Sequence, residues 1–218
     1  MGTVTIAATY GAGGSVIGPA VAKRLGLPFV DRAIPSSIVK KIHGPLTTAL
    51  TDDSARRSDV GRLLNSALSY TGLFAGVPLA DEHRGIALDV ADTEVAIRKL
   101  ADAGGAVILG RAGVFVLKDR TDVFHVRLDG DPEARCRAAM EHEDLDHETA
   151  ARNQHEVDHA RRAYVSHFYP RAGAWEDPRH YHMVLDSTAI SSEACVEIIT
   201  RGARDFFGRS AADSGLKS

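Results

Sequence analysis

A short strand that runs straight into a glycine-rich turn and then a helix opens this chain, and it constrains the fold more than any other stretch. Thr3-Val4-Thr5-Ile6-Ala7 is β-branched and apolar, which predicts a buried strand. Tyr10-Gly11-Ala12-Gly13-Gly14-Ser15 follows. Ile17, Ala20, Val21 and Leu25 then recur at helical spacing, and Gly26 stands where a helix C′ residue belongs. Glycines let a backbone take positive φ and approach a ligand closely, while a helix N-terminus offers unpaired N–H groups and partial positive charge. A phosphate fits such a corner. The plain alternative is a tight strand-to-helix turn with no ligand. The position, first strand and first helix at the carboxyl edge of a parallel sheet, points to phosphate.

The P-loop pattern G-x-x-x-x-G-K-[ST] sets a lysine on the phosphates and a hydroxyl on Mg2+. With Gly13 on its last glycine, Gly14 takes the lysine position and Ser15 the hydroxyl position, so the lysine is missing. A dinucleotide site is a weaker fit, because G-x-G-x-x-G needs glycine where Val16 stands. Asp31, at the end of a second short strand Leu27-Pro28-Phe29-Val30, suits that reading and keeps it open.

Strands and helices alternate over the rest of the chain. Pro35 to His43 reads as a short helix, and Gly44 to Ser58 is rich in Thr, Asp, Ser and Arg, as a linker is. Asp92 is expected to cap a helix with Val95, Ala96, Leu100 and Ala103 on its inner side, Glu94 and Arg98 as an i,i+4 pair, and Gly104-Gly105 at its end. Ala106-Val107-Ile108-Leu109 is a strand buried on both faces, running into Gly110-Arg111. Val123 to Leu128 is the next strand, and Asp131-Pro132-Glu133 is a helix start with cap, N1 proline and early acid. Glu148 to Tyr169 reads as a long polar helix, His182 to Asp186 as a last strand, and Ser192 to Phe207 as a last helix. Such alternation predicts an α/β fold, a parallel sheet with helices on both faces. Its strand ends bring Gly11–Ser15, Asp31 and Gly110-Arg111 to one edge.

Four stretches resemble the cytidylate kinase-like family of P-loop nucleoside monophosphate kinases. Tyr10-Gly11-Ala12-Gly13-Gly14 is similar to that family's Y-G-S-G-G loop, which also has glycine in place of lysine. Leu25-Gly26-Leu27-Pro28-Phe29-Val30-Asp31-Arg32 is similar to its L-G-(I/L)-P-(F/Y)-x-D-(R/K) segment, and Val107-Ile108-Leu109-Gly110-Arg111-Ala112 to its I-(V/L)-G-R segment. Asp158 to Tyr164 matches a D-x-x-R-x-x-Y helix, followed by Trp175-Glu176-Asp177-Pro178 and Tyr181 to Asp186. Where relatives carry Ser-Arg before Tyr-Gly this chain has Ala8-Thr9, and Ser15 replaces their arginine after the glycine pair.

The resemblance implies a three-layer P-loop kinase-type sheet in one domain over about 1–208, with a helical acceptor-binding insertion at about 35–91, a short lid at about 142–180 and a flexible tail at 209–218. It implies transfer of the ATP γ-phosphoryl group to CMP or a related nucleotide. Gly11, Ala12, Gly13, Gly14 and Ser15 would cradle the donor phosphates, with Ser15 on Mg2+. Asp31, Gly110 and Arg111 would face the acceptor, and Arg161 and Arg162 would reach over the transferring phosphoryl group. Three cations fewer beside the donor phosphates leave a second reading standing, a nucleotide-binding protein that does not turn over.

Composition narrows the partners. Among 218 residues, Lys+Arg 26 against Asp+Glu 29 gives a formal net charge of -3, which argues against a general nucleic-acid binder. No apolar run reaches the ~18 residues of a membrane span. Cys136 and Cys195 have no metal or disulfide spacing, so a reduced, cytoplasmic setting is expected. The resemblance implies a small-molecule nucleotide as partner, and homo-oligomerisation is left open. His155 and His159 have metal-ligand spacing on a helix but no third ligand, so zinc is not expected. Arg161 and Arg162 follow Asp158 by three and four residues, so a solvated helix pair competes with a phosphate role there; the arginine fork suits phosphate.

Overall fold

The computed structural model describes residues 2–30, 86–110 and 112–215. Two units divide the chain, residues 1–32 with 97–218 and residues 33–96. Of the second, only 86–96 are described, as the opening turns of one helix. Asp31, Arg111 and the expected insertion as far as residue 85 lie outside the described residues.

The strands are β1 (Thr3–Ala8), β2 (Phe29–Val30), β3 (Val107–Leu109), β4 (Val123–Asp129) and β5 (Met183–Asp186). The helices are α1 (Gly14–Leu25), α2 (Ile86–Asp102), α3 (Gly113–Val116), α4 (Pro132–Glu143), α5 (His147–Phe168) and α6 (Ser192–Gly215). One sheet runs β2-β3-β1-β4-β5, and every adjacent pair is parallel. The expected α/β fold is present.

Side-chain alternation decides which helix covers which face. In β1 and β4, Val4, Ile6, Ala8, Phe124, Val126 and Leu128 meet Ile17 and Val21 of α1 and Val196 and Ile199 of α6. On the other face, Ile108 and Val123 pack with Ile97 and Ala101 of α2 and with Val116 and Leu117. That makes three layers. β3 is buried on both faces, as its unbroken apolar run predicts.

Local signals end the helices where the sequence says they should. Gly26 takes φ 69°, and Leu27 N donates to Ala22 O at 3.0 Å, closing α1. Asp131 accepts from Ala134 N at 3.0 Å and Asp146 from Thr149 N at 2.8 Å, starting α4 and α5.

Two expectations change. α2 begins at Ile86, so Asp92 lies inside it, and the buried stripe is Ile97 and Ala101 while Val95 is 49% exposed. Leu100 of the expected stripe packs partly buried against that cluster, and Ile108, Val116 and Leu117 select Ile97 over Val95 as its centre. α6 continues to Gly215, past the start of the expected tail. Ser210 Oγ donating to Thr121 O at 3.0 Å and the Arg209–Asp205 pair at 3.0 Å support that last stretch.

Candidate functional site

The parallel sheet points the carboxyl ends of β1, β3, β4 and β5 to one edge, and the glycine loop turns there between β1 and α1. Gly11 (φ 76°) and Gly13 (φ 67°) occupy the left-handed region, and Gly13 is the N-cap of α1. A Cβ on Gly11 would overlap Arg135 O, so only glycine lets the loop lie against α4. Gly14 explains the missing lysine. A Cβ there would stand 2.8 Å from Ala8 Cβ and 3.1 Å from Leu109 Cδ1, so the strand side chains fill the space a side chain needs.

Among the described residues, no acceptor meets the backbone N–H groups of Gly11, Gly13, Gly14 and Ser15. Those of Gly13, Gly14 and Ser15 are donors that a helix N-terminus leaves open and a phosphate can take up, and Gly11 adds one from the turn before it. Ser15 is exposed at the second position of α1, where its hydroxyl suits one ligand place on a Mg2+ otherwise held by phosphates and water. No group of three or more metal-binding side chains occurs among the described residues, His155 and His159 included.

The base of the loop is held by polar groups from distant elements. Thr9 Oγ1 donates to Asp129 Oδ1 at 3.0 Å, and Ser187 Oγ donates to Ala12 O at 2.8 Å. Tyr10 N donates to Asp158 Oδ1 at 2.9 Å, while Tyr10 O accepts from Arg135 Nη1 at 2.9 Å. Arg135 Nη1 also lies 2.8 Å from Asp158 Oδ2. The D-x-x-R spacing puts Asp158 and Arg161 on one face of α5. Arg161 Nη1 donates to Ala8 O at 2.7 Å and to Asp158 Oδ1 at 3.2 Å. Expected over the transferring group, it is engaged at the end of β1. Arg162 pairs instead with Glu176 at 3.3 Å on the surface.

Gly110 ends β3 beside the loop with φ 72°, its N–H donating to Ile6 O at 2.8 Å. The structure thus brings Gly11–Ser15 and Gly110 together, with Arg161 against the adjoining end of β1. A groove of ≈ 320 Å³ between α4 and α5 is lined by Arg135, Cys136, His155, Asp158 and Arg162. A larger one, ≈ 510 Å³ between Arg24 and Arg204, lies at the far end of α1 from the glycine loop.

Asp129 closes β4. Burial pushes its carboxyl up, but the hydrogen bond and charge of Arg127, with Thr9, outweigh this and hold it below the usual range. Arg127 is 3% exposed, 2.7 Å from Asp129 Oδ2, and its guanidinium carbon lies 4.4 Å from the centre of the Trp175 ring. Trp175 therefore closes the interior; it does not present a face for a base. The sequence by itself singles out neither Asp129 nor Arg135. The Asp131-Pro132 helix start places Arg135 in the first turn of α4, and this is the local feature that brings it to the loop.

A protein-family model described as the cytidylate kinase-like family matches residues 3–189. No curated protein matches the chain. An uncharacterized protein from Eubacterium ventriosum ATCC 27560 has a similar fold over 94% of this chain and 99% of its own, at 16% identity and a TM-score of 0.64. A gluconokinase from Sinorhizobium meliloti 1021 matches over 100% of this chain and 97% of its own, at 18% identity and a TM-score of 0.48. A shikimate kinase from Bacteroides thetaiotaomicron matches over 94% and 98%, at 13% identity and 0.45. At those two scores neither bears on the fold.

Proposed function

The chain belongs to the cytidylate kinase-like family, and from that premise we propose that it moves the γ-phosphoryl group of ATP to a nucleoside monophosphate, CMP or a related pyrimidine nucleotide. Family membership supports a phosphotransferase; the acceptor and the Mg2+ dependence are this reading's own. The observation that carries it is the run of N–H groups at Gly11, Gly13, Gly14 and Ser15 that no acceptor among the described residues meets. Phosphoryl transfer asks for positioning and charge stabilisation more than for covalent chemistry, and that run supplies both to the donor phosphates.

Ser15 would hold Mg2+, which when bound neutralises phosphate oxygens. Arg162 is the arginine this reading turns toward the transferring group, since its exposed pairing with Glu176 costs little to break. Arg161 steadies the loop entry from Ala8 O. Gly110, with Asp31 and Arg111 read from the sequence, faces the acceptor. The buried Cys136 and Cys195 are free thiols, consistent with a reducing cytoplasmic setting. No helix among the described residues is long and apolar enough to cross a membrane.

The test is to incubate the full chain with ATP, Mg2+ and each monophosphate in turn. Diphosphate should form, fastest with CMP; none above a no-enzyme control for any acceptor sinks the catalytic reading. The filled space at Gly14 favours one alternative, a protein that binds nucleotide without turnover. It would show an ATP-raised melting temperature and no product.

A further inference from the structure

We infer that Asp158 is the positioning residue of the glycine loop, setting its phosphate-binding shape from α5. The inference rests on the triphosphate-binding reading above and goes beyond it, making the loop's affinity depend on how that helix is seated. Asp158 is 5% exposed, and its two oxygens take three donors. Oδ1 accepts from Tyr10 N at 2.9 Å and from Arg161 Nη1 at 3.2 Å, and Oδ2 accepts from Arg135 Nη1 at 2.8 Å. Each arginine also donates to the backbone leading into the loop, Arg135 to Tyr10 O at 2.9 Å and Arg161 to Ala8 O, at the end of β1, at 2.7 Å. Residues 8–10 are therefore gripped from α4 and α5, elements more than a hundred residues away in the chain.

The chemistry explains why the grip matters here. A lysine-bearing loop carries its own cation to the phosphates, but no side chain fits at Gly14. Arg135 and Arg161 instead bring positive charge up against the backbone just before Gly11, and the Asp158 carboxylate fixes both. A buried carboxylate with all three donors in place is stable, and removing it takes away the acceptor that Tyr10 N, Arg135 and Arg161 share beside the loop. The loop then loses its set geometry before α1 or the sheet is touched. A second tie runs the same way, since Trp175 lies over Arg127, Arg127 pairs with Asp129, and Asp129 accepts from Thr9.

A purely structural ion pair would weaken the whole fold without singling out the loop. Asp146 provides the comparison, because it caps the same helix at Thr149 N without contacting the loop. Amide hydrogen exchange is measured on the unliganded full chain and on its Asp158→Asn and Asp146→Ala variants, and KM for ATP and for CMP on all three. In Asp158→Asn, exchange at Tyr10 should quicken roughly tenfold or more, with Ile17 and Val21 unchanged, as expected for a lost hydrogen bond to a charged group. KM for ATP should rise roughly tenfold with KM for CMP unchanged, while Asp146→Ala lowers the melting temperature and moves neither. Unaltered loop exchange in Asp158→Asn, or equal quickening in Asp146→Ala, overturns the inference. If Asp158→Asn does not fold, Arg135→Lys keeps the charge but loses the fork; quickened Tyr10 exchange supports the inference and unchanged exchange overturns it. The exchange arm needs no nucleotide, so a wild-type chain that fails to bind ATP refutes the kinase reading while Asp158 is still decided.

Discussion

Ala8 Cβ lies 2.8 Å from where a side chain on Gly14 would begin, so the end of β1 and the start of α1 touch through the space that a P-loop lysine would enter. Placing the lysine of the P-loop pattern there should therefore fail. Gly14→Lys is expected to destabilise the fold by about 1–3 kcal/mol through overpacking and to give no gain in turnover. Urea denaturation and kcat check this together; a stable Gly14→Lys enzyme with raised kcat would refute it.

Ser15 is exposed, so its hydroxyl can be removed without disturbing the core. Ser15→Ala should leave the melting temperature within the small range of surface substitutions. The Mg2+ concentration needed for half-maximal turnover should rise several-fold. An unchanged Mg2+ dependence would remove Ser15 from the metal's surroundings.

Trp175 is 6% exposed above the Arg127 guanidinium, and its indole nitrogen has no partner among the described residues. Trp175→Ala should cost about 3–5 kcal/mol, from lost burial and an uncovered cation. Trp175→Phe should recover most of that, because the ring stacks while the indole N–H bonds nothing. Denaturant midpoints of the two variants decide it; equal losses would contradict the stacking role.

Burial, and then the charge of neighbouring His182, lower the pKa of His125 from its ordinary 6.5 to about 4. Its Nδ1 lies 2.7 Å from Thr5 Oγ1, inside the sheet face. The folded protein keeps this ring neutral, while the unfolded chain takes up a proton below about 6.5. The unfolded state thus binds more protons, and stability falls as pH drops from 6.5 toward 4, then levels off. The loss amounts to about 3 kcal/mol at most. Thermal unfolding across that range should show it, and His125→Gln should flatten it; an identical pH slope in the variant would show that other groups are responsible.

Much of the fold is legible where the signal is local. Tyr10 to Ser15, Gly26 and the Asp131-Pro132 start each encode a turn or cap within a few residues, and each is present. The buried phase of α2 is not, because Val95 and Ile97 are both apolar and only the packing of β3 and α3 chooses Ile97. At the site, the glycines are legible and what holds them is not. Tyr10 and Asp158 are 148 residues apart, and nothing in either neighbourhood announces the other. Gly14 likewise reads as a lost lysine until Ala8 and Leu109 are seen beside it.

Titration of Mg·ATP into the isotopically labelled full chain, followed by backbone amide resonances, tests the phosphate seat most directly. The expected result is that Gly11, Gly13, Gly14 and Ser15 move first and furthest and saturate together. Saturating ATP that leaves those four amides in place, or moves only residues elsewhere, would contradict it.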